Sequence, residues 1–142
     1  MTASLAFLSP EWVAAYGQSI NGSDEYRQAS LEWTHGAVAL VINAEPALGM
    51  ADPVGIWLDL DRGVCRDARL VNRAGAEDAP FVLTADYARW KEILRRELGP
   101  IAAIMQRKIA LKGSLPIIVR FVKSAEVLVD LATQIPTTFF DE

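Results

Sequence analysis

The sequence is poor in the residues that build disulfides, metal centres and catalytic triads. Its 142 residues include one cysteine, Cys65, and one histidine, His35. A single cysteine excludes an internal disulfide and any metal site that needs several thiolates. No Gly-x-Ser-x-Gly pattern offers His35 a nucleophile to activate. We therefore expect no enzymatic activity, no catalytic residue, no metal and no cofactor. His35 is expected to act as a cap or at a strand edge, and Cys65 as a small inert hydrophobe.

The sequence also lacks an excess of positive charge and any long apolar run. Fourteen Lys and Arg residues stand against eighteen Asp and Glu residues, so the formal net charge is −4. This balance excludes the basic footprint of a nucleic-acid-binding domain. No apolar run reaches the roughly 18 residues of a membrane-spanning helix. The start, MTASLAFLSPEW, has neither the basic residues nor the apolar core of a secretory signal. We expect a cytoplasmic protein whose membrane contacts are peripheral and transient.

Apolar side chains, by contrast, are abundant, at 51% of the residues, in a chain of single-domain size (residues 1–142). They are concentrated in residues 115–135, where Ser114 is placed as an N-cap and Pro136 as a stop. A helix over this stretch would be apolar around roughly 200° of its circumference, twice what packing on one surface needs. The second half could be core beneath another helix, could line a lipid cavity, or could form a homodimer contact.

The remaining pattern predicts helices, then a strand meander, then helices, a strand and the terminal helix. The first helix begins at Ser9-Pro10 and ends near Asn21, and the second runs from Ser23 to about Trp33. The predicted strands and later helices follow in chain order: strands 36–43, 53–61, 64–71 and 81–84, helices 86–98 and 101–107, and strand 108–112. Runs of strands beside runs of helices indicate an α+β fold, with helices on one face of a mainly antiparallel sheet.

One predicted hairpin determines the position of an arginine. Asp61-Arg62-Gly63 is typical of a three-residue hairpin loop, which would pair Leu60 with Val64. That register carries Arg66 onto the mostly apolar face, opposite Leu58. An arginine there would either extend to the sheet edge or bind the anionic group of a lipid.

The outer face of the same strands carries Trp57, Asp59 and Asp61. Two aspartates on one face could share a metal ion, but arginines lie nearby, so cross-strand salt links are the favoured interpretation. Trp57 is not explained by the core, and a dimer interface is one location for it.

Several of these segments, in this order, resemble one known family. They are Leu58-Asp59-Leu60-Asp61-Arg62-Gly63, then Thr84-Ala85-Asp86-Tyr87, then Leu98-Gly99-Pro100, and finally residues 105–113, MQRKIALKG. The chain is similar over residues 34–134 to the sterol carrier protein 2 (SCP2) domain. The resemblance implies a five-stranded sheet covered on one face by about five helices that enclose an apolar cavity.

The resemblance also implies a function. Members of the family bind sterols, fatty acids, acyl-CoA and other lipids, so we expect non-catalytic binding and transfer of a hydrophobic ligand. The chain ends Phe139-Phe140-Asp141-Glu142, without a peroxisomal Ser-Lys-Leu address, as expected of a bacterial stand-alone member. Two alternatives remain open. The protein could present a lipophilic intermediate such as a quinone to biosynthetic enzymes, or it could be a homodimeric interaction module with a filled core.

The predicted ligand-binding residues are apolar side chains of the sheet and the later helices, together with the arginine of the hairpin. The short helix after Gly99-Pro100 is a plausible lid, and methionine adapts to ligands of varied shape. The set is Leu58, Leu83, Trp90, Ile101, Ile104, Met105, Leu115, Ile118, Val119, Val122 and Arg66.

Overall fold

The computed structural model describes residues 4–141, which form one five-stranded sheet, one two-stranded sheet and seven short α-helices. The strands are β1 (Leu5–Ala6), β2 (Val38–Ile42), β3 (Val54–Asp61), β4 (Val64–Val71), β5 (Phe81–Ala85), β6 (Ala110–Lys112) and β7 (Thr137–Thr138). The helices are α1 (Pro10–Asn21), α2 (Asp24–Ala29), α3 (Arg73–Ala76), α4 (Tyr87–Leu94), α5 (Pro100–Met105), α6 (Leu115–Arg120) and α7 (Val122–Thr133), and Pro46–Leu48 adds a 3₁₀ turn.

The predicted α+β fold with a five-stranded sheet is confirmed. The strand order is β4-β3-β2-β5-β6, with β2 and β5 parallel and the other three pairs antiparallel. β4 ends at the edge of the sheet where β2 also ends. α3 and its flanking turns then return the chain to the opposite edge, where β2 begins, and β5 therefore runs parallel to β2. A second, two-stranded sheet, which the sequence pattern did not predict, pairs β1 with β7 in parallel.

The predicted N-caps are also present. The hydroxyls of Ser9, Ser23 and Ser114 each accept a hydrogen bond from the backbone N–H three residues ahead. Each bond satisfies one N–H that the first helical turn leaves without a partner. Helix α1 has the predicted bounds, whereas α2 ends at Ala29, before the predicted end near Trp33.

The two faces of the main sheet are covered differently. The inner face packs against most of the helices and contains the larger core cluster, with Val38, Ile56 and Leu58 among its buried residues. On the outer face, Val41 belongs to a second, smaller cluster that includes Ala76 of α3. Trp57 packs against this smaller cluster, and the Arg69 guanidinium lies 5.1 Å from its ring centroid. Trp57 therefore has neighbours within its own chain.

The hairpin between β3 and β4 differs from the prediction. Its loop has two residues, Arg62 and Gly63, because Asp61 pairs directly with Val64. Both loop residues have positive φ, 49° and 87°, as a type I′ turn requires. Leu60 consequently pairs with Cys65 rather than with Val64.

A β-bulge then shifts the register again. Asp59 pairs with Asp67, so Arg66 is the extra residue of β4. The amide of Asn21, the last residue of α1, bonds both backbone groups of Cys65, donating to its carbonyl and accepting from its N–H at 2.8 Å each. The end of α1 thus holds the chain at the irregular position.

The predicted position of Arg66 on the apolar face is wrong, because the two-residue loop shifts β4 by one residue relative to β3 and so places Arg66 on the side of Asp59. Its side chain is exposed and forms an ion pair with Asp59 at 3.0 Å, which also raises the pKa of the guanidinium. The predicted salt link of Asp59 is confirmed. Among residues 4–141, no group of three or more His, Cys, Asp or Glu residues is placed to hold a metal ion.

The predicted C-terminal helix is two helices. α6 ends at Arg120, and Phe121, with φ −106° and ψ 34°, leaves helical geometry before α7 begins. None of the helices described is long and apolar enough to cross a membrane.

Candidate functional site

An apolar cavity of about 100 Å³ lies between the inner face of the sheet and the helices. The sheet contributes the aliphatic side chains Val38, Leu40, Leu58, Leu60 and Leu83, and Ile109 follows from the segment before β6. The remaining lining residues come from the helices and their connections: Tyr16, Tyr26, Trp33, Trp90, Pro100, Ile104, Ile118, Phe121, Ser124, Ala125, Leu128 and Val129. The inner face of the sheet and the helices that cover it therefore both line the cavity.

Five of the eleven predicted residues line this cavity. They are Leu58, Leu83, Trp90, Ile104 and Ile118. They come from β3, β5, α4, α5 and α6, so the structure brings together residues that are as far as 60 positions apart in the chain. The side chain of Trp90 is fixed in place because its indole N–H donates to the Val41 carbonyl at 3.0 Å.

Three predicted residues lie on the outside instead. The exposed fractions of Met105, Val119 and Val122 are 61%, 46% and 37%. Val119 follows Ile118 on α6, about 100° further around the same helix, and therefore faces away from the cavity. Val122 is the first residue of α7, after the interruption at Phe121, and it also faces solvent.

The other three predicted residues also lie outside the cavity lining. Ile101 is partly buried and packs against the larger core cluster. Leu115, at the start of α6, is partly buried. Arg66 is exposed on the outer face, as the two-residue loop between β3 and β4 requires.

Sequence reasoning missed thirteen of the eighteen lining residues. Val38, Leu40 and Leu60 could have been found, because side chains two apart on a strand share a face with Leu58 or with each other. Tyr16 and Tyr26 lie on α1 and α2, ahead of the segment in which the resemblance is clearest. No periodic signal in the sequence relates those two helices to the cavity.

The polar atoms in the cavity wall are occupied by the protein itself. The Tyr16 hydroxyl donates to the Leu128 carbonyl at 2.8 Å. The Ser124 hydroxyl donates to the Ala29 carbonyl at 3.0 Å and lies 2.7 Å from the Ser30 hydroxyl. These bonds tie α1 and the end of α2 to α7, across one side of the cavity.

The cavity wall is also uncharged at neutral pH. Among the described residues, none of those lining the cavity is Asp, Glu, Lys, Arg or His. Burial raises the pKa of Tyr26 to about 12, and burial raises that of Tyr16 as well. The wall therefore offers a bound molecule apolar contact and no group that would act as an acid or a base near pH 7.

His35 and Cys65 lie beside the cavity rather than in its lining. The His35 ring packs 5.1 Å from the Trp33 ring and 5.7 Å from the Phe121 ring, and its Nε2 is buried without a hydrogen-bond partner among the described residues. Cys65 is buried, and burial raises the pKa of its thiol to about 11. A thiol with that pKa is not a reactive nucleophile at neutral pH.

A second hollow of about 40 Å³ lies next to the first. The two share Tyr16, Leu40, Trp90 and Val129 as lining residues. These four side chains stand between the two hollows and separate them.

Comparisons with known proteins agree with this geometry. The sequence profile of the SCP-2 sterol transfer family matches residues 18–133. A crystal structure of sterol carrier protein 2 is 34% identical, with a TM-score of 0.85 over 91% of this chain and 98% of that chain. A solution structure of a conserved hypothetical protein from Thermus thermophilus is 32% identical, with a TM-score of 0.84 over 96% of this chain and 94% of that chain.

A more distant likeness is to a structure of the UbiJ-SCP2 ubiquinone synthesis protein, at 14% identity and a TM-score of 0.52 over 82% of this chain and 86% of that chain. At that identity the likeness concerns the fold alone. No curated protein matches the chain.

The fold and the cavity define a small α+β protein with an apolar interior space under its last helices. The family match covers most of the chain, and two solved structures exceed 30% identity over nearly all of it. The chain belongs to the SCP-2 sterol transfer family.

Proposed function

We propose that this protein binds a hydrophobic ligand in the cavity and transfers it without chemical change. The observation that carries the proposal is the uncharged, apolar cavity between the inner sheet face and the last helices. Leu58, Leu83, Trp90, Ile104 and Ile118 are the predicted residues that we assign to ligand contact. The setting that we propose is the cytoplasm of a bacterium, with the domain acting by itself.

Burial of an acyl chain accounts for binding without hydrogen bonds. Transfer from water gives about 0.8 kcal/mol per methylene, so a chain of about 16 carbons gains on the order of 12 kcal/mol before costs. Ordering the ligand removes several kcal/mol of this gain. A ligand that leaves a bilayer exchanges one apolar phase for another, so loading and release are nearly balanced, as a carrier requires.

The cavity must expand to hold such a ligand. Ligand pockets typically measure about 300–1,000 Å³, and an apolar cavity of roughly 150 Å³ is the size that binds benzene. The wall formed by α5 and α6 is suited to movement, because each of these helices has six residues and such short helices depend on their packing. No atom lies within 4 Å of the place that a Cβ would take at Gly99, before α5, so this position is open, whereas Gly113, before α6, has φ 132° and packs against Phe81.

The absence of charge in the lining determines how a ligand would be oriented. A carboxylate or phosphate inside the cavity would lose its hydration without gaining an ion pair, and this loss is large in an apolar interior. We therefore propose that any charged group stays at the surface while the apolar part enters. Chain length and head group would be selected only loosely, because apolar burial is not directional.

Mass spectrometry of the organic extract of the purified protein tests the proposal. We expect a lipid at a substantial fraction of one molecule per chain, and a delipidated sample that binds a fluorescent fatty acid saturably. Neither result would be obtained if the domain were a homodimeric module with a filled core. Turnover of an acyl ester would contradict the non-catalytic role.

The alternative role, presentation of a lipophilic intermediate such as a quinone, uses the same cavity and differs in the recipient. The extract distinguishes the two. A mixture of membrane lipids supports transfer, whereas a single prenylated aromatic compound supports an accessory role in biosynthesis.

A further inference from the structure

The charges of this acidic protein are distributed unevenly along the chain. Residues 98–125 contain five of the fourteen Lys and Arg residues and none of the eighteen Asp and Glu residues. The rest of the chain therefore carries nine cations and eighteen acids, a net charge of −9 (9 − 18), against +5 in this segment. The five cations are Arg107, Lys108, Lys112, Arg120 and Lys123.

All five of these cations are exposed, and exposed apolar side chains accompany them. Met105, Val119 and Val122 are among the few large hydrophobic residues with more than a third of their surface exposed. Met105 follows Ile104, and Val119 follows Ile118, whose side chains line the same cavity. We call these eight exposed residues, which run from the end of α5 through Lys112 of β6 and α6 to the start of α7, the basic apolar surface.

The electrostatic partners of the basic apolar surface leave its charge largely unneutralised. Lys123 has one ion pair, with Glu25 at 3.7 Å, between two side chains that are each more than 60% exposed. Lys112 donates to the Glu77 backbone carbonyl, and Arg120 lies over the Phe121 ring at 5.5 Å. A carbonyl and an aromatic ring do not cancel a cation's charge.

We propose that the basic apolar surface docks on a lipid bilayer that contains anionic lipids. Apolar side chains flanked by Lys and Arg are the pattern of proteins that lie in the membrane interface, where the cations contact anionic head groups. The remainder of the chain, at −9, is repelled by such a bilayer. The molecule is therefore oriented with α5 and α6 toward the lipid.

This orientation places the membrane against the part of the cavity wall that has to move. Ile104 and Ile118 face the cavity from the same two helices whose outer residues, Met105 and Val119, face the bilayer. A ligand would pass between bilayer and cavity through these helices without crossing water. The inference goes beyond the proposed function, since it names the partner and the contact surface.

Vesicle co-sedimentation tests the docking surface. Wild-type protein is mixed with vesicles of phosphatidylcholine alone and with vesicles that also contain phosphatidylglycerol. We compare Arg107→Glu/Lys108→Glu with the control Arg73→Glu/Arg89→Glu, which lies outside the surface. Each double variant changes the net charge by −4, from −4 to −8, so an effect of overall charge would appear in both.

We expect wild-type protein to bind the anionic vesicles and to be released by salt. One Lys or Arg near such a surface raises the partition coefficient about fivefold, so Arg107→Glu/Lys108→Glu should lower it at least about thirtyfold. The partition coefficient of the control variant should fall by less than about threefold. Met105→Ser/Val119→Ser, which leaves the charge unchanged, should also weaken binding.

Equal binding to both kinds of vesicle, or an equal loss in the two double variants, would overturn the docking proposal. Circular dichroism spectra confirm that each variant is folded. Binding of a fluorescent fatty acid without vesicles is measured in parallel. Absence of fatty-acid binding by the wild type counts against the proposed function. Fatty-acid binding by a wild type that does not bind the anionic vesicles counts against the docking surface alone.

Discussion

At the scale of single residues, Cys65 shows how neighbours determine chemistry. Its backbone bonds to the Asn21 amide, and its thiol is buried and donates to the Asp67 carbonyl. Burial is the largest cause of its raised pKa, and the nearby Asp67 and Asp59 carboxylates add to the effect. The residue is therefore structural, in agreement with the inert hydrophobe expected from the sequence.

The raised pKa predicts slow reaction of Cys65 with thiol reagents. At pH 8 a thiol with a pKa of about 11 is ionised in about one molecule per thousand, against about one in ten or more for an ordinary thiol. We expect the folded protein to react with a disulfide reagent about a hundredfold more slowly than the urea-unfolded chain. Equal rates in the two states would show that the thiol is neither buried nor perturbed.

The buried tyrosines and Cys65 also predict how stability depends on pH. Folding raises the pKa of Tyr26 from 10.0 to about 12 and that of Cys65 from 9.0 to about 11, and Tyr16 shifts in the same direction. Each group contributes its full stabilisation at a pH where it is protonated in both the folded and the unfolded protein. These groups should therefore leave the free energy of unfolding nearly constant from pH 7 to about 9 and lower it as the pH rises toward 11. Urea unfolding at pH 7 to 11 measures this, and a stability that increases over that range would contradict the burial of these groups.

At the scale of elements, the contact between α1 and β4 explains a glycine in the middle of a helix. Gly17 costs α1 about 1 kcal/mol relative to alanine. A Cβ at Gly17, however, would lie 2.8 Å from the Ala68 Cβ, closer than two carbon atoms can approach. The glycine lets α1 lie directly on the sheet, and α1 in turn positions Tyr16 at the cavity.

We predict that Gly17→Ala destabilises the protein although alanine is the better helix former. Overpacking typically costs about 1–3 kcal/mol, which exceeds the gain in helix propensity. Gly17→Ala/Ala68→Gly should recover part of the loss, with a coupling energy of at least about 1 kcal/mol in a double-mutant cycle measured by urea unfolding. If Gly17→Ala proved stabilising by itself, α1 and β4 would not be in close contact.

The interruption at Phe121 divides one predicted helix into α6 and α7. Each of the two helices has apolar residues on two sides. Ile118, Phe121 and Ala125 face the cavity, while Val119 and Val122 face solvent. The surplus of apolar surface that the sequence shows over residues 115–135 is therefore shared between the cavity and the outside.

At the scale of the molecule, the sequence predicted local structure well and longer-range geometry less well. The bounds of α1 and the caps at Ser9, Ser23 and Ser114 follow from local rules. The bulge at Arg66 does not, because it depends on Asn21, which is 44 positions from the backbone that it binds. The wrong face predicted for Arg66, by contrast, came from the loop, which has two residues rather than three and therefore places Arg66 on the side of Asp59.

The candidate site was predicted in part for the same reason. Leu58 and Leu83 could be assigned because alternation along a strand determines which face a residue occupies. Val122 could not be placed correctly, since the non-helical geometry of Phe121 has no proline or glycine to mark it. Val119 could have been assigned to the outside, because it lies about 100° from Ile118 on the same helix. The contribution of α1 and α2 depends on how they pack against α7, for example through the bond between Ser30 and Ser124.

The most direct measurement of the central claim is a titration of delipidated protein with a fluorescent fatty acid, using matched variants of α7. Ala125 lines the cavity, whereas its neighbour Glu126 is exposed. Ala125→Phe places a phenyl ring in the cavity, and Glu126→Phe adds the same ring to the surface.

We expect saturable binding by the wild type and by Glu126→Phe, and at least tenfold weaker binding by Ala125→Phe. The melting temperature of Ala125→Phe should equal or exceed that of the wild type, because the new ring fills empty apolar space. Wild-type affinity in a folded Ala125→Phe variant, or no saturable binding by the wild type, would contradict the account of this cavity as the ligand site.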